Sequence, residues 1–254
     1  MTIYVHLVRH AQGFHNLSAA NQQLPDPDLT PLGEQQCATL RNAFAHQEAI
    51  TYLVASPMRR TIYTCLLSFA PAVASGKKII AYPEVQEVSN LPCDVGSDPA
   101  RLRAEFGAAG QVDLSLVQEG WNDKSFSSPW APDMRKLEAR ARTARVWLRE
   151  LGKKGTKEVD GDVRIAVVTH GGFLHFLTDD FDGLNQQMGT GWANTECRTY
   201  EFVEPEGEDD KAALRETSLS WKRRRGSATG LSETEQMEMK VALDSRLKEE
   251  LGEA

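Results

Sequence analysis

Apolar segments of strand length alternate along this chain with stretches of helical period. Residues 3–8, 52–55, 79–82, 163–169 and 198–203 are rich in Val, Ile, Leu and aromatic side chains, as expected of strands in a largely parallel, mostly buried sheet. Between them Thr30-Pro31 supplies an N-cap and a first-turn proline for a helix through residue 45, and Pro57 opens another running towards residue 69. The strongest helical period lies in 132–151, where Met134, Leu137, Ala141, Ala144, Leu148 and Leu151 recur at spacings of three and four. Arg135, Lys136, Arg140, Arg142, Arg145 and Arg149 fall mainly off that stripe and read as a solvated face. Strands alternating with helices imply an α/β fold: a three-layer α/β/α sandwich around a mostly parallel central sheet.

Residues 84–130 break the alternation. Turn-formers and the aromatics Phe106, Trp121, Phe126 and Trp130 occur there without a clear period, which reads as a lid insertion over the sheet. Composition shifts again after Val203, first to an acidic run and then to the basic run 222–225. Ser232 and Glu235 form a capping box for a final helix over 232–251. The expected organisation is a catalytic domain over 1–203 and a charged extension over 204–254. The net charge of −7 divides accordingly: 204–254 holds 13 acidic and 9 basic residues, and the first 203 residues hold 23 and 20. An acidic pI of about 5.5 argues against a nucleic-acid partner. No apolar run approaches the ~20 residues of a membrane span, so no membrane partner is expected. The four cysteines, Cys37, Cys65, Cys93 and Cys197, have no metal or redox spacing. They read as free thiols of a cytoplasmic protein, with the 222–225 run compatible with nuclear import.

Two of the strand segments end in histidine, at Arg9-His10 and Thr169-His170, and a third runs into Ser56-Pro57-Met58-Arg59-Arg60. Ligands of parallel α/β sheets bind at the carboxyl ends of strands, so these groups converge on one crevice. Two imidazoles and two guanidiniums there suit a phosphoryl group. Arginine forks bind its oxygens bidentately, and neutral imidazole is a competent nucleophile.

These residues resemble the motifs of the histidine phosphatase superfamily, the phosphoglycerate mutase-like fold. Arg9-His10-Ala11 stands in place of its Arg-His-Gly, with Asn16 six residues after the histidine. Leu29-Thr30-Pro31-Leu32-Gly33-Glu34-Gln35-Gln36 resembles its helix entry, Ser56 to Thr64 its arginine motif, and Thr169-His170-Gly171-Gly172 its second-histidine motif. The resemblance implies a metal-independent phosphomonoester hydrolase without a cofactor. His10 would form a phosphohistidine, while Arg9, Arg60 and His170 neutralise the transferring group. The acid of the family falls in Pro83-Glu84-Val85-Gln86-Glu87; motif register selects Glu87, with Glu84 the competing choice. Asn16, His15, Gly171 and, from the lid, Cys93, Asp94 and Trp121 are the candidate contacts to a small phosphorylated substrate. A phosphoglycerate mutase-type phosphotransferase and a silent phosphate-binding scaffold are the alternatives. The physiological substrate and the oligomeric state are not encoded in any motif.

Ala11 departs from the family glycine. A positive φ at that position would cost an alanine about 1 kcal/mol or more; the reading adopted is an ordinary backbone that tolerates it. Asp26-Pro27-Asp28-Leu29-Thr30 matches the string of magnesium-dependent aspartate phosphatases, but no hydrophobic strand precedes it, so it reads as a turn before a capped helix. His15 and His175 each follow a motif histidine by five residues, a spacing that matches no standard metal site.

Overall fold

The computed structural model describes residues 1–184 and 190–251. Its centre is a sheet of seven strands: β1 (Ile3–Arg9), β2 (Tyr52–Ala55), β3 (Ile79–Ala81), β4 (Val112–Asp113), β5 (Val163–Thr169), β6 (Cys197–Phe202) and β7 (Leu214–Glu216). They lie in the order β4-β3-β2-β5-β1-β6-β7. Only β6 runs against the others: it is antiparallel to β1 and to β7, and the remaining pairs are parallel. That order sets the carboxyl ends of β2, β5 and β1 side by side.

Apolar side chains leave both faces of the central strands and build a separate core on each. Ile3, Val5 and Leu7 of β1 and Val163, Ile165 and Val167 of β5 enter one core. Val8, Ala166 and Val168 enter the other. The period-two alternation of a strand buried on both sides thus produces the three layers expected from sequence.

The helices are α1 (Pro31–Ala43), α2 (Arg59–Ser68), α3 (Ala70–Ala74), α4 (Pro99–Phe106), α5 (Met134–Gly155), α6 (Gly171–Thr178), α7 (Ser218–Arg225) and α8 (Glu233–Leu251). Thr30 caps α1 by accepting the Gly33 amide at 3.0 Å. A side chain at Gly33 would run into the Gln12 carbonyl, so glycine here lets α1 press against the loop that follows β1. The first helix stops at Ala43 because Phe44 turns extended, with ψ at 103°, and sets its ring edge-on to Phe69. Pro57 lies outside α2, which begins at Arg59 behind an extended Met58.

The arginine face of α5 is not uniformly solvated. Arg140 and Arg149 are buried. Arg149 donates to the Asp209 carboxylate at 2.6 Å and, with Lys153 on the Gly207 carbonyl, holds the acidic loop after β6 against the helix. Arg140 stacks its guanidinium over Phe173, 4.5 Å from the ring centre. Both residues flank the apolar stripe, and neighbouring elements widen the buried surface to include them.

Within 84–130, α4 contributes Leu102 and Phe106 to the core beneath α2, and β4 extends the sheet beyond β3. After Val203 the chain returns to the sheet as β7 and forms α7, whose C-terminal turn carries the basic run. There Arg224 pairs with Glu216 at 2.6 Å and Arg225 pairs with Asp182. Ser232 and Glu235 exchange hydrogen bonds at the start of α8. Leu243 and Leu247 of that helix pack into the core that holds α5 and α6. No helix among the described residues is long and apolar enough to cross a membrane.

Candidate active site

The loop leaving β1 is fixed before its side chains are considered. The Ala11 amide donates to Thr64 Oγ1 at 3.0 Å, and Thr64 donates in turn to the Arg60 carbonyl. Asn194 donates to the His10 carbonyl at 2.9 Å. Ala11 does not adopt a positive φ, and its buried methyl packs with Leu29 and Cys37. The alanine therefore sits in ordinary backbone. We expect Ala11→Gly to lower stability by about 0.5–1 kcal/mol through the unfolded state, without a gain in turnover; paired denaturation and rate measurements check this.

His10 is almost wholly buried. Its Nδ1 lies 2.7 Å from the Ala11 carbonyl, and a carbonyl only accepts, so Nδ1 carries the proton. Burial, followed by the charges of Arg60, His15 and Arg9, holds the ring well below the ordinary histidine pKa of 6.5. His10 is then neutral, with an unprotonated Nε2 that has no partner among the described residues.

Around it, β2 and the start of α2 deliver Arg60, and β1 delivers Arg9. Arg60 is fully buried and donates to the Cys93 carbonyl at 2.6 Å, to Asp94 at 2.8 Å and to His170 Nδ1 at 3.1 Å. Arg59 turns away to Asp28 and Glu105, which makes Arg60 the arginine of the crevice. Arg9 donates to the Trp192 carbonyl at 2.5 Å; its Nε is buried without an acceptor among the described residues.

His170 sits with its ring centre 5.2 Å from that of His10. Arginine can only donate, so His170 Nδ1 accepts, and Nε2–H donates to Ser56 Oγ at 2.9 Å. Both nitrogens are thus engaged by the protein, and His170 lies beneath the pocket wall. Sequence reasoning did not select Ser56 as a partner.

Glu87 and Glu84 separate cleanly. Glu87 lines the pocket that contains His10, Arg9 and Arg60, whereas Glu84 lines a different cavity beside Tyr82 and Trp130. The Glu87 carboxylate accepts the amides of Val88 and Phe173 at 2.9 Å and of Gly172 at 3.1 Å. A Cβ at Gly172 would stand 2.7 Å from Glu87 Oε1, so glycine opens the first turn of α6 to the carboxylate. Burial first and Asp94 second raise the Glu87 pKa above the ordinary 4.5, against the lowering pull of the amides and Arg60. Behind it, buried Lys124 and Arg140 both donate to the Glu87 carbonyl, two basic side chains that no sequence motif marked.

The pocket has a volume of about 200 Å³. Asn16, His15, Gly171, Cys93 and Asp94 line it as expected. The Gly13 amide donates to the Asn16 side-chain oxygen at 3.0 Å. Asp94 receives Arg60 and the Ser89 hydroxyl. Trp121 corrects the sequence expectation, for it lies outside this pocket. Its indole packs against Gly96 and donates to the Ser97 carbonyl, in the core beneath the insertion. Trp121→Ala is expected to cost about 3–5 kcal/mol of stability, read by denaturant unfolding.

Leu243, Arg246 and Leu247 of α8 also line the pocket, a contribution from beyond residue 203 that the sequence did not signal. His175 is bonded to the Asp180 carbonyl and the Thr190 hydroxyl, and Asp26 is bonded to Arg59 and Ser97. Both belong to the scaffold.

The arrangement offers a neutral imidazole nitrogen, two guanidiniums and a carboxyl group of raised pKa around one small space. Comparisons with known proteins agree with it. The family model for the histidine phosphatase superfamily, branch 1, matches residues 5–217. A phosphoglycerate mutase-like protein of Arabidopsis thaliana is 28% identical over 242 residues, covering 79% of this chain and 84% of its own. The phosphoglycerate mutase of Bacillus anthracis shares the fold at a TM-score of 0.53, with 14% identity over 86% of this chain and 93% of its own. A mycobacterial glucosyl-3-phosphoglycerate phosphatase does so at 0.51, with 16% identity over 84% and 96%. A match spanning most of the chain, from within β1 to just past β7, makes this protein a member of the histidine phosphatase superfamily.

Proposed function

We propose that this protein hydrolyses small phosphomonoesters through a phosphohistidine on His10, without a metal. The observation that carries the reading is the Nε2 of a neutral His10, without a partner among the described residues, in a pocket shared with Arg9, Arg60 and Glu87. Membership of the superfamily, whose relatives include proteins named as phosphatases and mutases, supports a phosphatase or mutase-like enzyme.

In the first step Nε2 bonds to phosphorus as the bond to the leaving oxygen breaks, and Glu87 gives that oxygen its proton. Water then attacks the phosphohistidine, Glu87 takes back a proton, and phosphate leaves with His10 regenerated. Arg9 and Arg60 stabilise the charge spread over the equatorial oxygens. Arg60 is held in the free protein by Asp94 and Cys93, so phosphate exchanges with acceptors already aligned to its fork. His170, bonded on both sides, acts as a positioning residue for Arg60. Asn16, His15 and Gly171 contact the substrate at the mouth. A volume of about 200 Å³ is below that of drug-sized sites and selects a compact substrate, with Arg246 at the rim.

A phosphomonoester panel read by phosphate release tests the proposal. Release is expected on at least one compact substrate and is expected to survive EDTA, because arginine and histidine supply the positive charge. Transfer to a second hydroxyl without release would move the assignment to a mutase, and inertness across the panel to a silent phosphate binder.

A further inference from the structure

A second cavity, of about 730 Å³, shares no lining residue with the pocket around His10. It opens on the β1–β6 side of the sheet, between the end of α1 and the start of α7. Its size is that of small-molecule sites, and its walls have the composition of one. Tyr4, His6, Phe44 and His46 form an aromatic lining: His6 meets Phe44 edge-on at 5.0 Å and stacks on His46 at 6.0 Å. A row of three imidazole and phenyl rings, rising from His6 on the interior strand β1, offers flat apolar surface for another ring.

Charge in the cavity is unevenly matched. Glu196 is taken by Arg198 at 2.6 Å, Glu201 by Arg215 at 2.9 Å, and Arg224 by Glu216 at 2.6 Å. Arg164 reaches Asp162 only at 3.8 Å and lies 4.6 Å over the Tyr4 ring. Arg223 makes no ion pair or hydrogen bond among the described residues, and its charge acts on His46 and Cys197. Among the described residues, Arg223 therefore stands by the aromatic lining without an ion pair, and Arg164 stands there with only the longer pair to Asp162.

The floor supplies an independent sign. His6 is 1% exposed and bonds Thr199 Oγ1 through Nδ1 at 3.0 Å, while its Nε2 is buried with no partner among the described residues. A buried polar group without a partner in the wall of a cavity calls for an explanation, and a bound ligand or water supplies one.

We infer that this cavity is a second ligand site, for a small planar aromatic acid. Its anionic group lies between Arg164 and Arg223, and its ring lies against Phe44, His46 and the His6 floor. A phosphate, sulfonate or carboxylate satisfies the guanidiniums equally, and the ring distinguishes this ligand from the compact phosphomonoester of the catalytic pocket.

Naphthalene sulfonate, which carries no phosphoester to be cleaved, is the probe. Titration calorimetry of the full chain is expected to give one saturable site. Naphthalene sulfonamide, the uncharged analogue, and inorganic sulfate, which lacks the ring, are each expected to bind at least about tenfold more weakly. Arg223→Ala, an exposed position whose loss leaves the core intact, and Arg164→Ala are expected to weaken the probe about tenfold or more. Filling the catalytic pocket with orthovanadate is expected to leave its affinity unchanged within about twofold, as for independent sites. The bound probe is expected to shift the ring signals of His6 and His46 in NMR spectra and not those of His10. Absence of saturable binding, equal affinity in the Arg223 variant, or displacement by orthovanadate would each overturn the inference.

Discussion

Replacing His10 with alanine is expected to reduce phosphomonoester turnover by about 10⁴-fold or more, the scale seen when a covalent nucleophile is removed. The size of the effect follows from the local structure. The Ala11 carbonyl fixes the proton on Nδ1, and burial among three cationic or imidazole neighbours keeps the ring uncharged, so Nε2 offers a lone pair without waiting for a base, as the proposed attack requires. His170 has both nitrogens engaged, and His15 has its own ring centre 5.3 Å from that of His10. The variant should remain folded, because the loop is held by backbone bonds to Thr64 and Asn194. Steady-state rates on the best panel substrate, with circular dichroism as the control for folding, give the comparison. Retention of more than about a hundredth of the activity would exclude His10 as the nucleophile.

The second large effect belongs to Glu87. Glu87→Gln is expected to slow an alkyl phosphate by about 10²–10⁴-fold, the usual contribution of a positioned acid. The same change should slow formation of the phosphoenzyme from p-nitrophenyl phosphate far less, since that leaving group departs without a proton. The pH profile carries the same assignment. Glu87 must be protonated to donate, so kcat/KM falls as pH rises through its pKa, which burial and Asp94 place above the ordinary 4.5. His10 must be unprotonated, so the acidic limb lies well below the ordinary 6.5. Glu87→Gln removes the alkaline limb, and Asp94→Asn, by removing a neighbouring negative charge, moves it to lower pH. Equal losses on both substrates would argue against Glu87 as the acid.

Much of the fold was legible because the central strands are buried on both faces and so stand out as apolar runs. The ends of β1, β2 and β5, where the chemistry sits, are the ends of three such runs, and their adjacency follows from strand order. The convergence of His10, Arg9, Arg60 and Glu87 on one pocket was therefore readable from spacing and resemblance together. Other features lacked a local signal. Arg140 and Arg149 flank an apolar stripe, and whether a flank is dry depends on Phe173 and Asp209, partners 33 and 60 residues away. The apolar α6 has no solvent-facing side and hence no period to read, with seven of its eight residues buried. Trp121 and the α8 leucines are alike in composition to exposed aromatic and aliphatic residues elsewhere in the chain. Which of them meets substrate is decided by loop and helix docking, not by sequence pattern. Both His170 nitrogens are occupied for the same reason: Ser56 lies 114 residues away in a motif read only for its arginine.

The proposed chemistry passes through a covalent bond between phosphorus and one nitrogen of His10. Rapid quenching of the wild-type enzyme during turnover, at alkaline pH where phosphohistidine survives, followed by peptide mapping, tests that bond directly. The expected result is a single acid-labile phosphoryl group on the peptide that contains His10. Turnover with no phosphoenzyme, or with the phosphoryl group on another residue, would contradict it.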